Sequence, residues 1–147
     1  EIEHFRYRIE DGEVFLYDKI NVSATIMRED TTFGFSFMEF FPDFEEFNAK
    51  TIAEIERIQN TEGLLTRDFS GLYNLIHFSS IPWVDFTSLS HARSFTFPDS
   101  CPKISFGKMT ETNGKKTMPM SIHVHHGLVD GYHVGLFAET FQHLMDS

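Results

Sequence analysis

The sequence predicts an α+β or α/β fold, a mixed sheet with helices packed on it. Three features carry that expectation: segments of apolar alternation, two stretches with helical spacing, and 17 phenylalanines among 147 residues. So many phenylalanines in one small chain point to a sheet-rich core or an aromatic pocket. Residues 4–10 and 13–18 are β-prone and flank Asp11-Gly12, a short hairpin signal. Residues 20–27 alternate like a half-buried strand. Residues 31–40 do so more clearly, with Phe33, Phe35 and Phe37 on one face. Pro42-Asp43 reads as a helix start, and Phe44, Phe47, Ile52, Ile55 and Ile58 make 43–60 an amphipathic helix. Residues 61–73 carry two glycines, lack periodicity and read as loop. Strands are expected at 74–80, 85–90 and 102–110. Asn113-Gly114 marks a second hairpin, leading into a long strand at 117–126. A last helix begins near Asp130, its buried stripe formed by Val134, Phe137, Ala138, Phe141 and Met145.

Length fits one domain, 1–147, with no linker, repeat or low-complexity segment. A composition of 41% hydrophobic and 23% charged residues is that of an ordinary globular chain. No apolar run is long enough for a transmembrane helix, so no membrane partner is expected. The N-terminus shows no basic region followed by an apolar segment, so no secretory signal is expected. A single cysteine, Cys101, excludes an internal disulfide framework and a multi-cysteine zinc site, and makes a reducing, cytoplasmic compartment the expectation. A net charge of −10 argues against nucleic acid as a partner. The charge is uneven: residues 1–60 hold 14 acids against 6 bases, and residues 61–147 hold 8 against 6. The second half therefore tolerates an anionic cofactor. The chain begins without methionine, as expected of a processed or incomplete chain.

Five of the eight histidines lie between positions 123 and 143. Strand alternation places His123 and His125 on one face and His126 on the other, apolar face, just before the chain turns. Four residues later Asp130 opens a helix, followed by Gly131. A buried neutral imidazole beside a carboxylate, held by a strand-turn-helix, can take a proton from an alcohol or thiol. An arbitrary pair of this kind is more often a core histidine and a helix N-cap. His-His-x-x-x-Asp-Gly at a strand-to-helix turn is much more specific.

The segment His125-His126-Gly-Leu-Val-Asp130-Gly131-Tyr-His133-Val resembles the signature of the chloramphenicol acetyltransferase family. The likeness continues through Met118-Pro119-Met120-Ser121-Ile122, the Asn113-Gly114 hairpin, Ile104 to Lys108, and Phe5-Arg6 to Tyr17-Asp18. Phe78-Ser79-Ser80-Ile81-Pro82-Trp83 resembles the Ser-x-x-Pro-Trp segment that separates this branch from dihydrolipoyl acyltransferases and condensation domains. Essentially the whole chain is covered.

The resemblance implies a two-layer sandwich and a homotrimer with active sites between subunits. It implies acetyl-CoA as co-substrate, no metal, and transfer of acetyl to a hydroxyl of chloramphenicol or another small acceptor, the chemistry of antibiotic resistance. His126 matches the general base, Ser79 the hydroxyl that stabilises the oxyanion, and Asp130 the carboxylate that organises the site through an arginine near the family's N-terminus. On the cofactor side, Trp83 matches a tryptophan lining coenzyme A and Ser105 a threonine that contacts the intermediate through water. Phe33, Phe35, Leu89 and His91 fall on the acceptor pocket.

This chain departs from the family pattern in two ways. Roughly the first third of the pattern, including the arginine that pairs with Asp130, is expected to be absent. The acceptor lining also changes: His91 and Arg93 stand at aliphatic positions, Lys103 at an isoleucine, and Phe35 where a small residue is usual. Met109 replaces an aromatic residue near the adenine end. Either the changed pocket side chains turn outward into solvent, as the long stems of Arg93 and Lys103 allow, and the pocket stays apolar, or the acceptor is smaller and more polar than chloramphenicol. Weak or absent chloramphenicol activity is the expectation. The competing reading is a non-catalytic small-molecule or metal-binding protein that chelates through His123, His125 and His133.

Overall fold

A computed structural model describes residues 2–91 and 99–146. A 3₁₀ turn over Glu3–Arg6 leads into the first hairpin, β1 (Tyr7–Glu10) and β2 (Glu13–Leu16). Asp11 and Gly12 turn it with φ of 50° and 84°, the left-handed pair that a two-residue hairpin needs. The main sheet runs β4-β3-β5-β6-β9, built from β3 (Asn21–Met27), β4 (Phe33–Phe35), β5 (Leu75–Ser80), β6 (Lys103–Phe106) and β9 (Met120–His123). β3, β5 and β6 are parallel neighbours, and the two edge strands are antiparallel. A small hairpin, β7 (Thr110–Thr112) and β8 (Lys115–Thr117), turns at Asn113-Gly114.

Both helices cover one face of this sheet. α1 (Phe44–Gln59) is capped by Asp43, whose carboxylate accepts the Glu46 N–H at 2.8 Å. Its fully buried Ile58 approaches Gly34, where any Cβ would lie 3.1 Å from Ile58 Cγ2 and 2.6 Å from an Arg28 nitrogen. α2 (Gly131–Met145) is seated by an aromatic column: Phe78 on Phe106, Phe106 on Phe141, Phe141 on Phe137, and Phe137 on Phe5. These contacts fall on the sheet face of Ala24, Ile26, Phe78 and Phe106. The opposite face carries Ser23, Thr25, His77, Ser79, Lys103 and Ser105. The two-layer α+β sandwich is as expected, with polar residues on the sheet face away from the helices.

Several element boundaries differ from the sequence expectation. The 31–40 strand shortens to β4, because the Ser36 hydroxyl takes the Ala24 N–H at 3.0 Å in place of a ladder carbonyl. The register survives, and Met38 rejoins β3 opposite Val22. No strand forms over 85–90. β5 and β6 already have partners on both sides, and a turn that closes Val84 N–H on the Ile81 carbonyl leads the chain away. The 102–110 strand breaks at Gly107, where a Cβ would stand 2.5 Å from Pro119 Cγ. The 117–126 strand keeps only β9, because Pro119 has no N–H to donate and the chain leaves the sheet after His123. Phe44 and Ile52 of α1 are exposed. The expected stripe of α2 is half-buried at Val134, Phe137, Ala138 and Phe141 and exposed at Met145.

Candidate active site

Parallel pairing places Ser79 of β5 directly opposite Ser105 of β6, and antiparallel pairing places Ser105 opposite Ser121 of β9. Adjacent to this row runs a second one, Ser23, His77, Lys103 and His123. The Ser79 and Ser105 hydroxyls lie 2.6 Å apart. Ser105 is fully buried and also meets His91 Nε2 at 3.2 Å. His91 stands edge-on to His123, ring centroids 4.7 Å apart, and His123 Nδ1 lies 3.3 Å from the Ser121 hydroxyl. Burial lowers the His91 pKa below the ordinary histidine value, and neighbouring His123 and Lys103 push the same way.

Ser79 and Ser105 of the first row and Ser23, His77 and Lys103 of the second form one wall of a cavity of about 490 Å³ that Phe35, Leu65, Phe69 and Leu72 close with apolar groups. Polar groups therefore converge on one side of an otherwise hydrophobic space, the usual build of a small-molecule site. Lys103 is ion-paired with Asp99 inside it. The ligand atoms of His77, Asp99 and Cys101, all in the lining, lie within 4.8 Å of one another.

A second cavity of about 360 Å³ is lined by His4, Tyr7, Val14, the 126–130 turn and His133. The His125 carbonyl accepts the N–H groups of Leu128 and Val129, so His126 projects from a tight turn. The expectation of a buried His126 on a strand face is corrected: β9 ends at His123, and His126 is exposed. Asp130 is the α2 N-cap, accepting from the N–H groups of Tyr132 at 3.0 Å and His133 at 3.3 Å. Its side chain is 57% exposed and pairs with His133 Nδ1 at 2.7 Å, not with His126. Hydrogen bonding from the His133 backbone, followed by the His133 charge, holds its carboxyl below the ordinary range, with desolvation opposing. Among the described residues no arginine reaches it. His133 in turn stacks on His4, centroids 3.5 Å apart.

The residues singled out from sequence thus fall into separate places. Ser79, Ser105, Phe35, His91 and Lys103 share the large cavity, while His126 and Asp130 share the smaller one. Phe33 is exposed and packs edge-on against Phe35. Leu89 is half-buried and lines neither cavity, Trp83 is 69% exposed, and Met109 is exposed as well. Arg93 lies outside the described residues. His123, His125 and His133 do not converge: His123 faces His91, the His125 Nδ1 is buried without a partner, and His133 holds Asp130. His77 was legible as sharing a strand face with Ser79. Asp99, Cys101, His4 and Tyr7 carry no motif and come into place only through tertiary folding.

Comparison with known proteins bears on the family and the fold. A family model for chloramphenicol acetyltransferase matches residues 1–142. A chloramphenicol acetyltransferase of Bacillus pumilus is 30% identical over 146 residues, 99% of this chain and 66% of that protein. Chloramphenicol acetyltransferase 3 of Escherichia coli is 26% identical over 149 residues, 100% of this chain and 69% of its own length. The chain thus spans about two thirds of these relatives. A solved chloramphenicol acetyltransferase superposes with a TM-score of 0.81 at 29% identity, over 95% of this chain and 68% of that one. A dihydrolipoamide acetyltransferase of Azotobacter vinelandii superposes at 0.68 with 12% identity, over 97% of this chain and 61% of that one, and shares the fold.

Proposed function

Because the chain belongs to the chloramphenicol acetyltransferase family, we propose that it is an acetyl-CoA-dependent O-acetyltransferase acting on a small hydroxylated acceptor. The observation that carries this reading is the Ser79 hydroxyl, held 2.6 Å from that of buried Ser105 in the wall of a cavity sized for a small molecule. A fixed hydroxyl of this kind is preorganised to donate to a developing oxyanion. In the reaction, a ring nitrogen of His126 takes the acceptor's hydroxyl proton as that oxygen attacks the thioester carbonyl. Ser79 donates to the tetrahedral oxyanion. Collapse expels the coenzyme A thiolate, which recovers the proton from His126. Asp130 positions the turn that carries His126. Trp83 and Ser105 serve the cofactor side, and Phe33, Phe35, Leu89 and His91 the acceptor.

Ser79 and His126 open onto different cavities of one chain. That separation supports a homotrimer in which His126 of one copy completes the Ser79 cavity of the next. The exposed Val14, Phe15 and Leu16 of β2 and the exposed Tyr132 and Leu136 of α2 are apolar surface suited to such contact. We place the protein in the cytoplasm, with residues 1–147 forming a single domain. No helix among the described residues is long and apolar enough to cross a membrane. Antibiotic resistance is its role if chloramphenicol is the acceptor. His91 and the Lys103–Asp99 pair favour a more polar alcohol. The test is thiol release from acetyl-CoA against a panel of hydroxylated acceptors. Acceptor-dependent release supports the reading, and its absence with every alcohol, chloramphenicol included, overturns it.

A further inference from the structure

The large cavity contains a cluster that acetyl transfer does not use. His77 reaches it from β5, while Asp99 and Cys101 come from the segment that enters β6, and their ligand atoms lie within 4.8 Å of one another. The backbone holds the two segments together: the His77 N–H donates to the Pro102 carbonyl at 2.9 Å, and the Cys101 N–H donates to Asp99 Oδ1 at 2.9 Å. Ser23 supplies an independent sign of a missing ligand. It stands opposite His77 on β3, lines the same cavity and is 2% exposed, yet its Oγ has no hydrogen-bond partner. A buried hydroxyl without a partner is costly unless something occupies the space before it.

We propose that His77, Asp99 and Cys101 bind a single zinc-class divalent cation in the cavity wall. One imidazole, one thiolate and one carboxylate form a mixed nitrogen, sulfur and oxygen set that suits zinc and disfavours magnesium or calcium. Two nearby cations do not preclude it. Arg8 gives most of its donors to the carbonyls of Phe5, Tyr7, Tyr73 and Leu75, and its remaining interaction with Cys101 favours the thiolate that a metal needs. Lys103 anchors Asp99 through Oδ2, and a carboxylate with about four lone-pair sites can hold a lysine, an N–H and a cation together. Three protein ligands leave one position of a four-coordinate site for the Ser23 hydroxyl, a water or an oxygen of a bound molecule. The Cys101 thiol releases its proton to solvent as Sγ takes the metal.

Cys101 is the chain's single cysteine, so thiol alkylation reports on this site alone. With metal-free protein, one equivalent of zinc chloride is expected to slow iodoacetamide labelling at least about tenfold, and magnesium to leave it unchanged. Cobalt(II) is expected to give a thiolate-to-metal absorption band that is lost in Cys101→Ser. His77→Ala and Asp99→Asn should each weaken zinc binding by at least about tenfold, on the scale seen when a metal site loses a supporting group. His123→Ala should not. Unprotected labelling of the wild-type protein overturns the proposal. So does zinc protection that persists undiminished in His77→Ala and Asp99→Asn, since it would show a thiol binding metal alone. The wild-type cobalt spectrum decides the matter even if a variant fails to fold, and none of these readouts depends on acetyl transfer.

Discussion

Ser79 and His126 belong to one chain but open onto different cavities, Ser79 on the polar face of the sheet and His126 on the turn before α2. If one turnover needs both, two copies must supply them. Ser79→Ala and His126→Ala proteins should each be strongly impaired, and co-expressed in equal amounts they should regain activity. Recovery should reach about a quarter of wild type, the chance that intact residues meet at a head-to-tail interface. No recovery in demonstrably mixed oligomers would mean that a single copy builds the site.

The two residues should also fail differently. His126→Ala should lower transfer by at least about a hundredfold, the scale of a positioned general base. His123→Ala and His125→Ala should do much less. Ser79→Ala should lower kcat with little change in KM, because its contact is made mainly in the transition state. Equal losses across the three histidine variants would contradict the assignment of His126.

How much of this was legible in the sequence depends on whether a feature is set locally. The Asp11-Gly12 and Asn113-Gly114 hairpins, the Asp43 cap on α1 and the Asp130 cap on α2 are fixed by residues within a few positions, and they fold as read. The strand expected at 85–90 had the right pattern, but β5 and β6 on either side of it in sequence already have partners on both sides, and such pairing is allotted by the whole sheet. His126 was placed by strand alternation, which stops at His123, so its exposure could not be seen. Ser79 and Ser105 were marked separately by the family pattern. Their bond follows from a parallel register spanning 26 positions, which no local pattern encodes.

Asp130 caps α2 through two backbone N–H groups and pairs with His133. Asp130→Ala should therefore lower the melting temperature, whereas Asp130→Asn, an equally good cap, should leave it nearly unchanged. If Asp130 also positions the turn electrostatically, Asp130→Asn should still reduce transfer. Thermal melts set beside initial rates separate the two effects. An asparagine variant with full activity would confine Asp130 to capping.

Acid should destabilise the protein in two stages. The His91 pKa is depressed, by burial first and then by His123 and Lys103, so the unfolded chain takes up a proton more readily there than the folded one. Its contribution is complete above the ordinary histidine value, about 6.5, and is lost as pH falls through that value toward the lower folded one. Glu54 acts lower on the scale: burial would raise its carboxyl, but Arg57, the Phe37 N–H and Arg67 outweigh that and hold it down. Its stabilisation is present above its unfolded value and lost as pH drops through the folded one. Melting temperature should thus fall first near pH 6 and again near pH 4, about where these groups ordinarily titrate. His91→Leu should shrink the first step without touching the second, the remainder belonging to His77, whose pKa burial also lowers. A first step unchanged in that variant would rule His91 out.

The acceptor itself is the last matter that residues of the cavity decide. Chloramphenicol is largely apolar, and a pocket for it calls for apolar lining with few polar groups. Here Phe35 occupies cavity space, His91 is held by Ser105, and Lys103 and Asp99, though partly open to solvent, pair with each other along the lining. An apolar ring laid against these groups would leave them desolvated without new partners, which costs binding energy. A smaller alcohol with its own donors and acceptors meets them with hydrogen bonds. We therefore expect a chloramphenicol kcat/KM below about 10⁵ M⁻¹s⁻¹, under the range of well-matched enzyme and substrate pairs. Phe35→Ala combined with His91→Leu should raise it, by restoring volume and removing a polar group. A wild-type value above that bound would show that the cavity already accommodates the drug, and a double variant no better than a weak wild type would show that Phe35 and His91 are not what excludes it.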